Sequence, residues 1–290
     1  VKIGLSLPTM LAGCDRDTVL GWSRRIEADG WDTIGFGERI AYRNLEMFSV
    51  LSAAAAVTER VGIASTVVVL PMHSEVWVAK QAATLDVVSG GRVTLGVGVG
   101  GRGEDYAALG RDDRRRHQRL DDQVARLRAT WAGEPPAAGL DPVGPRPARD
   151  IPILSGALGP KSIARSARWA AGVAGFEMDP SPEALAGAAE RVRAAWADAG
   201  RTEAPYLMTS WWFALGDDAA TRLRGYATDY LGVFGPELAG ALAESCTAAG
   251  DDAVRRAVDA ARAAGYDEIQ LVPTTRDLGE LDRLAAALGR

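Results

Sequence analysis

Two cysteines and two histidines are all that the chain supplies of the two commonest soft metal ligands, and Lys2, Lys80 and Lys161 are its only lysines. Cys14 and Cys246 lie far apart and outside any CxxC spacing, which argues against a disulfide framework and a thiolate zinc site and fits a reducing compartment. Two histidines cannot build a histidine-rich metal centre, and neither HExxH nor GxSxG occurs, so metallohydrolase and α/β-hydrolase readings lose ground. None of the three lysines falls clearly at a strand end, where a Schiff-base lysine would be expected. A cofactor-free barrel lyase or aldolase therefore ranks last. No apolar run approaches the roughly 18 residues of a membrane helix, and the chain opens on a strand-like KIGLSLP rather than a basic-then-apolar leader. The expectation is a soluble, cytoplasmic protein.

Charge is also in short supply on the basic side. Thirty-three basic residues against 38 acidic ones give a formal net charge of -5, so nothing electrostatic favours nucleic acid or an anionic membrane as partner. A small molecule is the expected partner. The 47% hydrophobic and 24% charged content fits a globular chain with a sizeable core.

What is present is alternation. Eight short apolar runs read as strands: Lys2–Leu7, Thr33–Gly37, Gly62–Leu70, Val93–Val99, Ile151–Ser155, Gly172–Phe176, Tyr206–Leu215 and Asp267–Val272. Helical stripes separate most of them, such as Val19, Trp22 and Ile26 after the candidate N-caps Asp15 and Asp17, or Leu120, Val124, Leu127 and Trp131. Eight strands alternating with helices predict a single (β/α)8 TIM barrel over residues 1–290, with an open doubly wound sheet as the rival. Five prolines between Ala132 and Asp150 predict a long irregular surface loop. Residues 225–250 exceed a standard loop and predict a partly helical insertion over the barrel mouth.

The densest signal runs from Val61 to Gly110. It reads as strand, Pro-containing loop, helix, a Ser-Gly-Gly-Arg turn, and a strand in which Gly96, Gly98 and Gly100 alternate with Leu95, Val97 and Val99. One face of that strand is bare backbone, open either to a flat ring or to a crowding neighbour strand. Gly96, Gly98 and Gly101 also satisfy GxGxxG, but no strand follows before Ile151, as a dinucleotide fold would need. In Ile151–Gly172, Pro160, Lys161 and Ser162 open a helix after Gly159, which reads equally as an anion site or as an ordinary helix start.

The segment AKQAATLDVVSGGRVTLGVGVG, residues 79–100, resembles the luciferase-like flavin-dependent oxidoreductases, and similarity extends from KIGLSLP to Leu288, including the closing GYDEIQLVPTT. The resemblance implies a luciferase-type TIM barrel that binds reduced FMN or the deazaflavin coenzyme F-420, acts on a small organic substrate, works in some cases with a separate flavin reductase, and is often a homodimer. It places a non-proline cis peptide in Thr66-Val67-Val68 supporting the flavin, turns the glycine face at Gly98 and Gly100 towards the ring, and raises the phosphate reading of Gly159, Lys161 and Ser162.

Two departures stand out. Family members often follow an acid with histidine at the end of the second strand, where this chain has Glu38-Arg39. An arginine cannot exchange a proton near neutral pH, so Arg39 would act on an anionic substrate or flavin intermediate by charge, or simply pair with Glu38. Deazaflavin enzymes can also carry a glutamate where Gly101 stands. His73, after Leu70-Pro71-Met72, is the better placed histidine for proton transfer, although a lone histidine beside a Pro turn is more often a surface residue. His117 falls in a charged run expected to be solvated. Of Trp211 and Trp212, strand alternation sends one into the barrel and one beneath the helices. These residues leave two readings: an oxidoreductase with Glu38, Arg39 and His73 as candidate catalytic residues, or a degenerate barrel that binds flavin without turnover.

Overall fold

The computed structural model describes residues 1–290. Eight parallel strands close into a barrel in sequence order: β1 (Lys2–Ser6), β2 (Thr33–Phe36), β3 (Gly62–Val69), β4 (Val93–Gly98), β5 (Ile153–Ser155), β6 (Gly172–Ala174), β7 (Tyr206–Phe213) and β8 (Glu268–Pro273). Closure, with β1 paired to β8 from Lys2↔Glu268 to Leu5↔Leu271, rules out the open sheet. All eight expected strands are present, with ends shifted by one or two residues.

Around the barrel run α1 (Arg16–Ala28), α2 (Met47–Ala56), α3 (Glu75–Ser89), α4 (Gly103–Ala108), α5 (Arg116–Ala132), α6 (Pro160–Ser166), α7 (Pro182–Asp198), α8 (Ala219–Leu231), α9 (Pro236–Glu244), α10 (Asp251–Ala263) and α11 (Gly279–Leu288). Their starts follow local chemistry. Asp15 accepts from the Thr18 amide at 2.9 Å, and Glu46 accepts from the Phe48 and Ser49 amides at 2.9 and 2.7 Å, satisfying amides that a helix start leaves free. No helix is long and apolar enough to cross a membrane. Residues 133–152 form neither helix nor strand, as their prolines require.

Two charged residues of the motif that carries the resemblance, Asp86 and Arg92, staple neighbouring elements together. Asp86, fully buried, accepts from the Ala148 amide at 2.8 Å and the Arg149 amide at 3.3 Å, anchoring the end of the Pro-rich segment to α3. Arg92 donates to the carbonyls of Ala55, Thr58, Val61 and Ser89, so one guanidinium ties α2, β3 and the α3–β4 turn together. Such multidentate use of carbonyls needs the planar five-donor head of arginine.

Between β3 and β4 the ladder slips. Ser65 pairs with Leu95 but Val68 pairs with Val97, so β3 holds one residue more than its partner, which is a bulge. The Thr66–Val67 peptide inside it is cis. The extra residue turns the Val67 side chain onto the glycine face of β4. A β-carbon at Gly96 would lie 2.3 Å from the Ser65 carbonyl and 3.0 Å from Val67 Cγ1, and one at Gly98 would lie 2.8 Å from Val67 Cγ2. Gly100 meets Val69 in the same way at 2.8 Å, and it also has φ +61°, which favours glycine. The neighbouring strand thus crowds the alternating glycines, and Gly98 and Gly100 also line an open cleft.

Candidate active site

Barrel enzymes work at the C-terminal ends of their strands, and two adjoining hollows lie there. The first, of about 280 Å3, is lined from β1, β2, β3, β7, β8 and α8, and Thr66 forms part of its wall. The second, of about 430 Å3, lies beyond β4 and β5 and is walled by Val67. The bulged Thr66–Val67 pair thus stands between a mouth cavity and a side cleft.

The cleft brings together Val67, Gly98, Gly100, Gly159 and Ser162 from the sequence reading, residues spread over almost 100 positions. Lys161 is exposed and is not part of its lining. The positive charge in the cleft comes from Arg116 and Arg165 instead, with His117 on the rim and Asp121 opposite. Arg165 pairs with Asp121, and Trp169 Nε1 donates to the other oxygen of that carboxylate at 3.1 Å. Arg116 Nε is buried without a partner, a cost the protein bears unless something accepts from it. Partial burial and then the charges of Arg116 and Arg165 push the His117 pKa below its ordinary 6.5, against a smaller opposing pull from Asp121. Most of the charged run from Arg111 is exposed, as expected, while Arg116 and His117 also line the cleft.

The mouth cavity is aromatic. Trp212 packs edge-on against Phe176, Tyr226 and Tyr230 at ring-centroid distances of 4.8, 5.6 and 5.1 Å. Tyr226 and Tyr230 project from successive turns of α8, the expected insertion region, and their rings are nearly parallel. The adjacent Trp211 is fully buried and absent from the cavity wall, as strand alternation demands. Ser6, Thr66 and Ser210 supply hydroxyls to the wall, and Ser210 donates to the Gly175 carbonyl at 2.8 Å. Sequence reasoning missed Phe176, Tyr226 and Tyr230. Phe176 follows β6 by two residues, where barrels place site residues, and the i, i+4 tyrosine pair was visible but had no partner until the fold closed.

The three candidate catalytic residues line neither hollow. Glu38 does not pair with Arg39. Its carboxylate contacts His73 Nε2 at 2.9 Å and accepts from the Val69 amide at 2.8 Å, while its own amide donates to the Val67 carbonyl at 3.3 Å. Glu38 therefore grips β3 at the bulge and just after it. The Arg39 side chain is 4% exposed. It meets Glu104 at 3.1 Å and Asp105 at 3.3 Å and stacks over Tyr42 at 4.3 Å, because a buried guanidinium needs both counter-charge and a π face. Enclosed in this way, it is in no position to hold an anion in either hollow. Among all 290 residues no cluster of His, Cys, Asp and Glu could hold a metal ion.

The closed barrel thus carries an apolar mouth cavity beside a cleft lined by Arg116 and Arg165. The chain belongs to the luciferase-like monooxygenase family, whose model matches residues 5–285. An uncharacterized protein of Mycobacterium tuberculosis is 33% identical over 179 residues, 57% of this chain and 61% of that one. The pyrimidine monooxygenase RutA of Serratia proteamaculans is 32% identical over 189 residues, 60% of this chain and 51% of that protein. These matches thus take in only about half to three-fifths of the relatives' own length. In fold, the chain matches an F420-dependent secondary alcohol dehydrogenase holding an F420-acetone adduct, with TM-score 0.81 at 17% identity over 99% of this chain and 98% of the other. It also matches the FMN-bound oxygenating constituent of 3,6-diketocamphane monooxygenase of Pseudomonas putida, with TM-score 0.72 at 15% identity over 99% and 95%.

Proposed function

We propose that the protein is an oxidoreductase that holds reduced FMN or deazaflavin F420 across the Thr66–Val67 bulge and acts on a small organic substrate in the mouth cavity. The observation that carries this reading is the junction itself: an apolar hollow and a cationic cleft share one wall, as a ring with a phosphate-bearing arm requires. The residues fit such a group. Arg165, Arg116 and Ser162, which line the cleft, would hold the phosphate by hydrogen bonds, charge-assisted from the arginines, and the Val67 side chain would support the ring.

A bound reduced flavin supplies a hydride or, with dioxygen, an oxygen atom. The chain's own residues orient the substrate against it and exclude water through the Trp212 aromatic wall. Glu38 fixes the bulge that would support the ring, and His73 fixes Glu38. In the FMN case a separate flavin reductase would deliver the reduced cofactor, and a homodimer is the expected assembly.

A binding protein without turnover is the second reading, favoured by the absence of any carboxylate or histidine from the cavity wall. Parallel titration of the protein with FMN and F420, followed by single-turnover oxidation of the reduced complex with and without substrate, separates these readings. Tight binding with substrate-dependent oxidation is expected. Binding of neither cofactor overturns the proposal, and binding without substrate-dependent oxidation transfers it to the second reading.

A further inference from the structure

The substrate's chemical class can be taken further from the mouth cavity, on the assumption that the flavin reading above holds. No aspartate, glutamate, lysine, arginine or histidine lines this cavity. Its only ionisable groups are tyrosines, and burial, reinforced by Tyr230 and Tyr42, holds the Tyr226 hydroxyl protonated well above its ordinary 10. An ion entering would lose hydration without gaining a counter-charge, which is costly.

The walls select further. Trp212 joins Phe176, Tyr226 and Tyr230 in edge-to-face contacts, leaving ring faces and edges around one space of about 280 Å3. Aromatic guests gain from such walls beyond the area they bury, because the quadrupoles of guest and wall align. Met10 and Met178 add polarizable sulfur to the same wall.

An aromatic box also raises the prospect of a cationic guest. Here two guanidiniums already lie against one of its rings. The guanidinium of Arg102 lies 4.7 Å from the Tyr230 ring centre and that of Arg39 lies 5.4 Å from it. Arg39 is neutralised by Glu104 and Asp105. Arg102 contacts the Tyr230 carbonyl at 3.2 Å and has Nη1 buried without a partner. Its positive charge disfavours a second cation against the same ring.

We propose that the mouth cavity takes an uncharged, flat aromatic substrate, engaged by the Trp212 box and oriented by neutral hydroxyls such as Ser6 and Thr66.

The test uses calorimetry on the full chain with four probes of similar size: naphthylmethanol, naphthoate, naphthylmethyl-trimethylammonium and the saturated decalinylmethanol. Naphthylmethanol is expected to bind about tenfold or more tighter than each of the others, both alone and with FMN or F420 saturating. In Trp212→Leu its advantage over decalinylmethanol is expected to shrink to within about threefold. Should that variant fail to fold, Phe176→Leu carries the same expectation. Equal or tighter binding of the anion, the cation or the saturated alcohol overturns the proposal, as does binding of none of the four. Competition is the separating outcome: if saturating flavin abolishes naphthylmethanol binding, the box belongs to the cofactor ring and the substrate proposal falls while the flavin reading stands. If neither flavin binds, the flavin reading falls, and with it the claim that the box holds a substrate.

Discussion

Val67 lays its isopropyl group over Gly98 so closely that a β-carbon there would stand 2.8 Å from Cγ2. Alternating glycines in β4 and an extra residue in β3 are thus two halves of one fitting, and the fitting builds the wall between cavity and cleft.

Gly98→Ala should therefore displace Val67, at a cost of about 1–3 kcal/mol from overpacking, and should weaken flavin binding. Adding Val67→Ala should restore much of the stability, since the two side chains compete for one space. Urea unfolding of the two single variants and the double variant checks this. Strictly additive losses would count against the fitting.

Glu38 satisfies the Val69 amide and His73 at once. Glu38→Ala leaves a part-buried donor without an acceptor and should cost roughly 1–3 kcal/mol, with flavin affinity falling alongside. Glu38→Gln keeps an acceptor for the amide and a polar partner for the imidazole, so most of the stability should remain. Melting curves and flavin titration of both variants decide whether Glu38 works by holding the bulge.

Arg165 lines the cleft and Lys161 does not. Arg165→Ala removes a charge-assisted contact and leaves Asp121 facing the phosphate, so FMN affinity should drop about tenfold or more. Lys161→Ala, at an exposed position, should change it by no more than about threefold. The reverse order in a fluorescence titration would make Lys161, not Arg165, the phosphate's cation.

His117 titrates below its ordinary 6.5 because of partial burial and then its arginine neighbours. As pH falls from 6.5 towards that lower value, the unfolded chain gains the proton first, so the ligand-free protein should lose stability across this window. A phosphate in the cleft offers the missing counter-charge and raises the folded value, so FMN binding should tighten as pH falls from about 8 to 6. FMN gains a proton of its own near pH 6, about the second phosphate pKa, so His117→Gln is the control. Its titrations should show the smaller pH dependence.

The barrel was legible in the sequence because its physics is local. Alternating strand and helix periods, caps such as Asp15 and punctuating prolines each act over a few residues, and eight repeats leave few ways to pack. The glycine face and Ser162 were likewise visible as unusual chemistry. Local pattern alone specified the architecture and the places where backbone is bare. Only the tertiary structure decided what fills those places: that Val67 covers Gly98, that Glu38 faces His73 across 35 positions while Arg39 turns to Glu104 and Asp105, and that Trp212 meets Tyr226 and Tyr230. Those are contacts between strand ends and helices distant in sequence. Their geometry is set by closure of the sheet, and no local propensity encodes it.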